Sequence, residues 1–162
     1  VRRAALALLV LSLLAGSAVP AAAQDIAYRG IGLRAGVADD PDQGVVGVQF
    51  NFGEFIPNLR FQPHLDVGFG DDTTIVSATA PVHYRLPLES SLTLYGGAGV
   101  TVGFIDRDEP NVRGDDEGSD FDISPMLAGG IEWPVGNNEL AVELNVTGGD
   151  FSTVKLVLGW MF

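Results

Sequence analysis

The sequence contains no cysteine, so no disulfide framework holds it together. Basic residues are scarce: 9 Lys and Arg stand against 21 Asp and Glu, a net charge of −12. That balance argues against a polyanion partner such as nucleic acid, whose phosphates need a basic surface. Beyond the first 23 residues no stretch reaches the roughly eighteen consecutive apolar residues of a membrane helix. Repeats of the solenoid kind and interdomain linkers are missing too. What the chain has in quantity is glycine, 21 of 162 residues, beside many strand-forming residues, a mixture that disfavours helices.

The amino-terminal segment sets the expected compartment. Arg2 and Arg3 precede an apolar run from Ala4 to Ala15, Gly16 and Pro20 break it, and Ala21-Ala22-Ala23 offers a small-residue cleavage site. This order predicts a secretory signal peptide over residues 1–23, cleaved before Gln24. The alternative, an amino-terminal anchor, fits less well because the run is short for a span. The expected mature domain is residues 24–162, enough for one domain. Losing Arg2 and Arg3 leaves seven of the 9 basic residues against 21 acids, a net charge of −14.

The mature region alternates with a period of two, the signature of strands with one apolar face. The last ten residues show it most clearly. Val154, Leu156, Leu158, Trp160 and Phe162 share a face against Thr153, Lys155, Val157, Gly159 and Met161. Ending on such a strand exposes a sticky edge in a soluble protein, whereas a closed barrel leaves no edge. The same pattern gives seven more strands, around residues 30–37, 46–52, 59–69, 76–86, 92–104, 121–133 and 139–147. Eight strands of about ten residues suit an antiparallel up-and-down transmembrane β-barrel. The connections alternate as well. Gly53–Asn58, Pro87–Ser91 and Pro134–Asn138 read as short turns with a proline each, and the other set, including Ile105–Asp120, carries the acids. Short periplasmic turns and longer external loops have this parity.

A soluble barrel of the lipocalin kind, binding a lipophilic ligand, also has eight strands. Polarity separates the two. The polar face here is rich in glycine, including Gly32, Gly47, Gly97, Gly99 and Gly159, and sparse in long solvated side chains. Glycine weakens a water-facing strand but leaves room inside a narrow barrel. The apolar face is therefore expected to point outward into lipid. Aromatics near strand ends, such as Phe52, Phe61, Tyr84, Phe104, Phe121, Trp133 and Trp160, fit girdles at both interfaces, although strand preference alone accounts for some of them.

In architecture the whole mature chain resembles the small outer-membrane barrels of Gram-negative bacteria, the OmpA/OmpX type. The most specific piece is the terminus, with Leu156, Leu158, Trp160 and Phe162 at alternating positions. The resemblance implies that this terminus is an assembly signal read by the barrel-assembly machinery, and that the other partners are outer-membrane lipid and lipopolysaccharide. The expected protein is a monomer without a cofactor or metal, located in the outer membrane, with a structural or surface-interaction role and no catalysis.

Inward-facing charges form the candidate site. Arg34, Arg60, His64, Asp66, His83, Arg85, Asp122, Glu132, Glu139, Glu143 and Lys155 fall on the polar face. Such charges require partners in a low-dielectric interior. They are expected to form a paired plug, with Arg60, Arg85, Glu132 and Glu139 in the periplasmic half and Asp66 and Lys155 in the external half. A narrow water path for ions is the competing reading. A lipid A-modifying barrel enzyme is a third: His83 and Ser77 share an inward face with His64 on the next strand. However, the His-x-Ser spacing of the deacylases and an outward Ser–His pair are both missing. In the acidic loop, Asp106, Asp108 and Glu117 match three positions of a calcium loop, but Asn111 stands where the obligatory glycine belongs. Loose divalent binding is the remaining expectation there.

Overall fold

The computed structural model describes residues 27–39, 42–70, 73–107, 120–149 and 153–162. The expected signal peptide, the acidic-loop positions Asp108 and Glu117, and Asn111 lie outside these residues. The described residues form ten strand segments: β1 (Gly30–Asp39), β2 (Gln43–Asn51), β3 (Glu54–Ile56), β4 (Leu59–Phe61), β5 (His64–Gly70), β6 (Thr73–Pro87), β7 (Thr93–Arg107), β8 (Asp120–Val135), β9 (Asn138–Thr147) and β10 (Thr153–Met161). All pairings are antiparallel. β10 pairs with β1, from Gly32 opposite Met161 to Asp39 opposite Val154, and β6 pairs with β7 over its whole length. These two seams close the sheet, and no long edge remains among the described residues. β3 continues β2 and β4 continues β5, so the barrel has eight strands.

Two predicted boundaries shift. Gly53–Asn58 is not a loop but a strand extension ended by a tight hairpin. Ile56 pairs with Leu59 across Pro57-Asn58, with Asn58 at φ 67°. Proline then an αL residue are the central positions of a type II turn. Below it a bulge adds one residue. The Phe52 N–H donates to the Phe61 carbonyl, and the Phe61 N–H donates to the Gly53 carbonyl, both at 3.1 Å. Gly53, at φ 78°, supplies the backbone freedom the bulge needs. The second shift is at the other end, where β7 runs to Arg107 and β8 starts at Asp120, so the strand pair rises further than the sequence pattern suggests.

The faces are sorted by polarity in the sense opposite to a soluble protein. Leu33, Val37, Val46, Leu65, Val76, Val100, Ile123, Leu127, Leu144, Leu156 and Leu158 are all exposed, while Arg34, Gln49, Arg60, His64, Asp66, His83, Glu132, Glu143 and Asn145 are buried. Aromatics cluster at both rims. At the end with the short turns, Tyr28, Phe52 and Phe61 stack with ring centroids 6.3 and 5.9 Å apart, and at the loop end Phe104 packs on Phe121 at 5.1 Å.

Candidate functional site

The period of two places every other residue of each strand in the lumen, and eight strands leave just enough width for those side chains to meet. Toward the turn end, Arg60 on β4, Arg85 on β6, Glu132 on β8, Glu139 on β9 and Glu54 on β3 form one network. The Arg60 Nη1 donates to Glu139 Oε1 at 2.9 Å, and its Nη2 pairs with Glu132. Arg85 Nη1 lies 3.1 Å from Glu54 Oε1, and its Nη2 lies 3.4 Å from Glu139 Oε2 and also pairs with Glu132. Glu132 is 1 % exposed, so two guanidinium forks hold a carboxylate that is buried from bulk water.

The middle of the barrel holds a second network built on Glu143. The Arg34 Nη2 donates to Glu143 Oε1 at 3.3 Å, Tyr95 Oη donates to Oε2 at 2.9 Å, and Asn145 Nδ2 donates to Oε1 at 2.9 Å. The same Arg34 reaches across β2 to Asp66, with Nε 3.0 Å from Oδ1. That reach depends on Gly47, whose Cα faces Arg34 on one side and Asp66 on the other. A Cβ there would run into the Asp66 carboxylate and the Arg34 side chain. His64 Nε2 lies 3.6 Å from Asp66 Oδ2 and His83 Nε2 lies 3.9 Å from Glu143 Oε2. The His83 ring packs on Tyr95 at 5.0 Å. Lys155 is on the same face and interacts with Asp66 and Arg34 through space, without a direct ion pair among the described residues.

At the level of His64, Thr79 and Thr101 share a hydrogen bond of 3.0 Å, and nearer the loop end Ile75 and Ile105, opposite one another on β6 and β7, are both buried. Asp122 accepts a hydrogen bond from Ser124. Between the two charged networks is a cavity lined by Gln49, Arg60, Gln62, Tyr95 and Glu143 among others. It offers about 10 Å³ to the centre of a water molecule, roughly one water's worth.

The sequence-predicted interior residues thus fall into two groups, Arg60, Arg85, Glu132 and Glu139 in one, and Arg34, Asp66, Glu143, His64 and His83 in the other. Sequence reasoning missed Glu54, Tyr95, Asn145 and the Ile75–Ile105 pair. Glu54 was hidden in an expected turn and Ile105 in an expected loop. Tyr95 and Asn145 stood on the polar face as uncharged residues, and their partner Glu143 was the available signal. Leu156, Leu158 and Trp160 line the outer face of β10, and the Phe162 N–H donates to the Ile31 carbonyl at 3.0 Å.

Solved structures with the same arrangement follow from this geometry. Neisserial surface protein A superposes with a TM-score of 0.60 at 15% identity, covering 83% of this chain and 94% of that one. The fold is that of the eight-stranded outer-membrane barrels. The amino-terminal barrel domain of Pseudomonas aeruginosa OprF gives a TM-score of 0.60 at 15% identity, covering 83% of this chain and 98% of that one. The outer membrane enzyme PagL gives 0.52 at 12% identity, with 83% and 99% covered. No protein-family model matches the sequence, and no curated protein matches it.

Proposed function

We propose that this chain is an integral outer-membrane barrel with a closed, ion-paired interior and a structural or surface-interaction role. The observation that carries this reading is the polarity inversion: exposed aliphatic side chains around the wall, and buried arginines and carboxylates within it. In water that outer face would be one continuous apolar patch, far beyond what a soluble monomer shows; in lipid it is the ordinary outward band of a barrel. The same inversion speaks against a soluble carrier, because the lumen holds charges where a lipophilic ligand would need an apolar cavity.

On this reading residues 1–23 direct export, the short turns face the periplasm and the loops face outward. Lipopolysaccharide and lipid surround the wall, and the alternating Leu156, Leu158, Trp160 and Phe162 are what the assembly machinery engages. The likeness to PagL keeps catalysis as a second reading. Two features favour the non-catalytic one. Ser77 and His83 point into the lumen, away from a lipid substrate. The Ser77 hydroxyl and both His83 ring nitrogens have no hydrogen-bond partner among the described residues, whereas a nucleophile and its base are held within hydrogen-bond reach.

The test has two arms. The protein is expected to leave the membrane fraction only with detergent and to run faster on gels unheated than boiled; a chain that stays soluble without detergent overturns the reading. In planar bilayers the folded protein is expected to be silent, and regular single-channel steps would show an open lumen instead. An altered acyl pattern in lipid A from expressing cells would establish the catalytic alternative.

A further inference from the structure

One side of the turn end is built differently from the rest of the wall. β2 and β5 do not run straight into β3 and β4, because Phe52-Gly53 and Gln62-Pro63 interrupt them. An unbroken antiparallel ladder exchanges two hydrogen bonds between Phe50 and Pro63, and two between Gln62 and Pro81. Proline has no N–H to give, so each pair keeps one. The Phe50 N–H donates to the Pro63 carbonyl at 2.8 Å, and the Gln62 N–H donates to the Pro81 carbonyl at 3.4 Å. On the other leg Gly53 stands at φ 78° inside the bulge. Both legs of the β3–β4 hairpin are therefore weakened at nearly the same level.

Below that level the hairpin has few backbone neighbours. β4 pairs with β6 only through Leu59, Arg60 and Phe61, helped by the Arg85 N–H on the Asn58 carbonyl at 2.7 Å. Among the described residues β3 pairs with β4 alone. The β8–β9 hairpin at the same end is the opposite case, with unbroken strands and a neighbouring strand on each side. Charge is what holds the β3–β4 hairpin inward: Arg60 reaches Glu132 and Glu139, and Arg85 reaches Glu54. The side chains of Glu54, Arg85 and Glu139 are partly exposed, whereas Arg60 and Gln62 line the cavity behind them.

We propose that the β3–β4 hairpin is a hinged flap over the turn-end mouth of the lumen, latched by these ion pairs, whose local opening uncovers the cavity from that side alone. Gln62-Pro63 and Gly53 are its hinges. Beyond the cavity the hydrogen bonds of Arg34 and Tyr95 to Glu143 and the Ile75–Ile105 pair stay in place, so an open flap makes no path through the barrel. The inference rests on the closed-barrel reading above.

The experiment is amide hydrogen exchange, read by mass spectrometry, on the whole protein folded in lipid vesicles. Residues 54–61 are expected to exchange at least about tenfold faster than residues 131–142 of the β8–β9 hairpin, because they open locally. E54Q removes the pair with Arg85 and keeps an oxygen for the Asn58 N–H. It is expected to speed residues 54–61 by about threefold and leave residues 131–142 unchanged. L59C/Y84C joins β4 to β6 at a non-hydrogen-bonded pair, whose Cα spacing suits a disulfide, in a chain with no other cysteine. Oxidised, it is expected to slow residues 54–61 to the rate of residues 131–142; if it does not fold or oxidise, F61C/V82C takes its place. Equal exchange in the two wild-type hairpins overturns the flap, and so does a closed cross-link that leaves their difference intact, or E54Q speeding both alike. Regular single-channel steps from the wild type in planar bilayers would instead contradict the closed-barrel reading itself.

Discussion

At the residue scale, Glu132 and Gly47 explain most of how the lumen stays closed. Glu132 is shared by two arginines on different strands, so β4, β6 and β8 are tied at one point. Removing its charge while keeping its shape, as in E132Q, leaves both guanidinium groups short of an acceptor. Breaking a buried pair from one side costs about 3 kcal/mol, and urea unfolding in vesicles is expected to show that loss. Gly47 acts by absence: the Arg34–Asp66 pair runs through the space a side chain would fill. G47V is expected to destabilise by roughly 1–3 kcal/mol through overpacking and displacement of that pair. The identity of the charged interior residues was legible in the sequence, because a period of two assigns each to a face. Their partners were not, because pairing depends on which strands adjoin across the lumen. The uncharged members, Tyr95 and Asn145, gave no charge signal of their own.

At the element scale, the eight strands were legible because alternation carries faces and length together. The hairpin between β3 and β4 was not. A bulge at Gly53 inserts one residue, so the alternation jumps phase and Glu54 lands inside, on Arg85, where the unbroken pattern reads a turn. The rims of β7 and β8 were misread for a related reason, since acids near the membrane surface look like loop even where the strands continue. The outer wall gives a depth-dependent prediction on β10. Leu158 lies mid-strand opposite Ala35 and Val142, and Val154 lies at the loop end opposite Asp39 and Val146. L158R is expected to cost about 2–4 kcal/mol and V154R about 0–1 kcal/mol, the gradient from bilayer midplane to interface. Equal costs at the two sites would argue against a wall embedded in lipid.

At the scale of the whole molecule, closure and polarity belong to one solution. A chain with charges on one face and aliphatic residues on the other buries the charges by curling the sheet, and the first and last strands then satisfy each other's backbone. The central claim is that the outer face meets lipid, and the chain supplies its own probes. Its 2 tryptophans, Trp133 and Trp160, both lie on the outer face near the turn end, one on each side of Leu140. The direct measurement is tryptophan fluorescence of the protein refolded into vesicles containing lipids brominated at graded depths. The account predicts strong quenching, greatest for bromines near the headgroup level and weaker toward the bilayer centre. Fluorescence indifferent to bromine at every depth would contradict it.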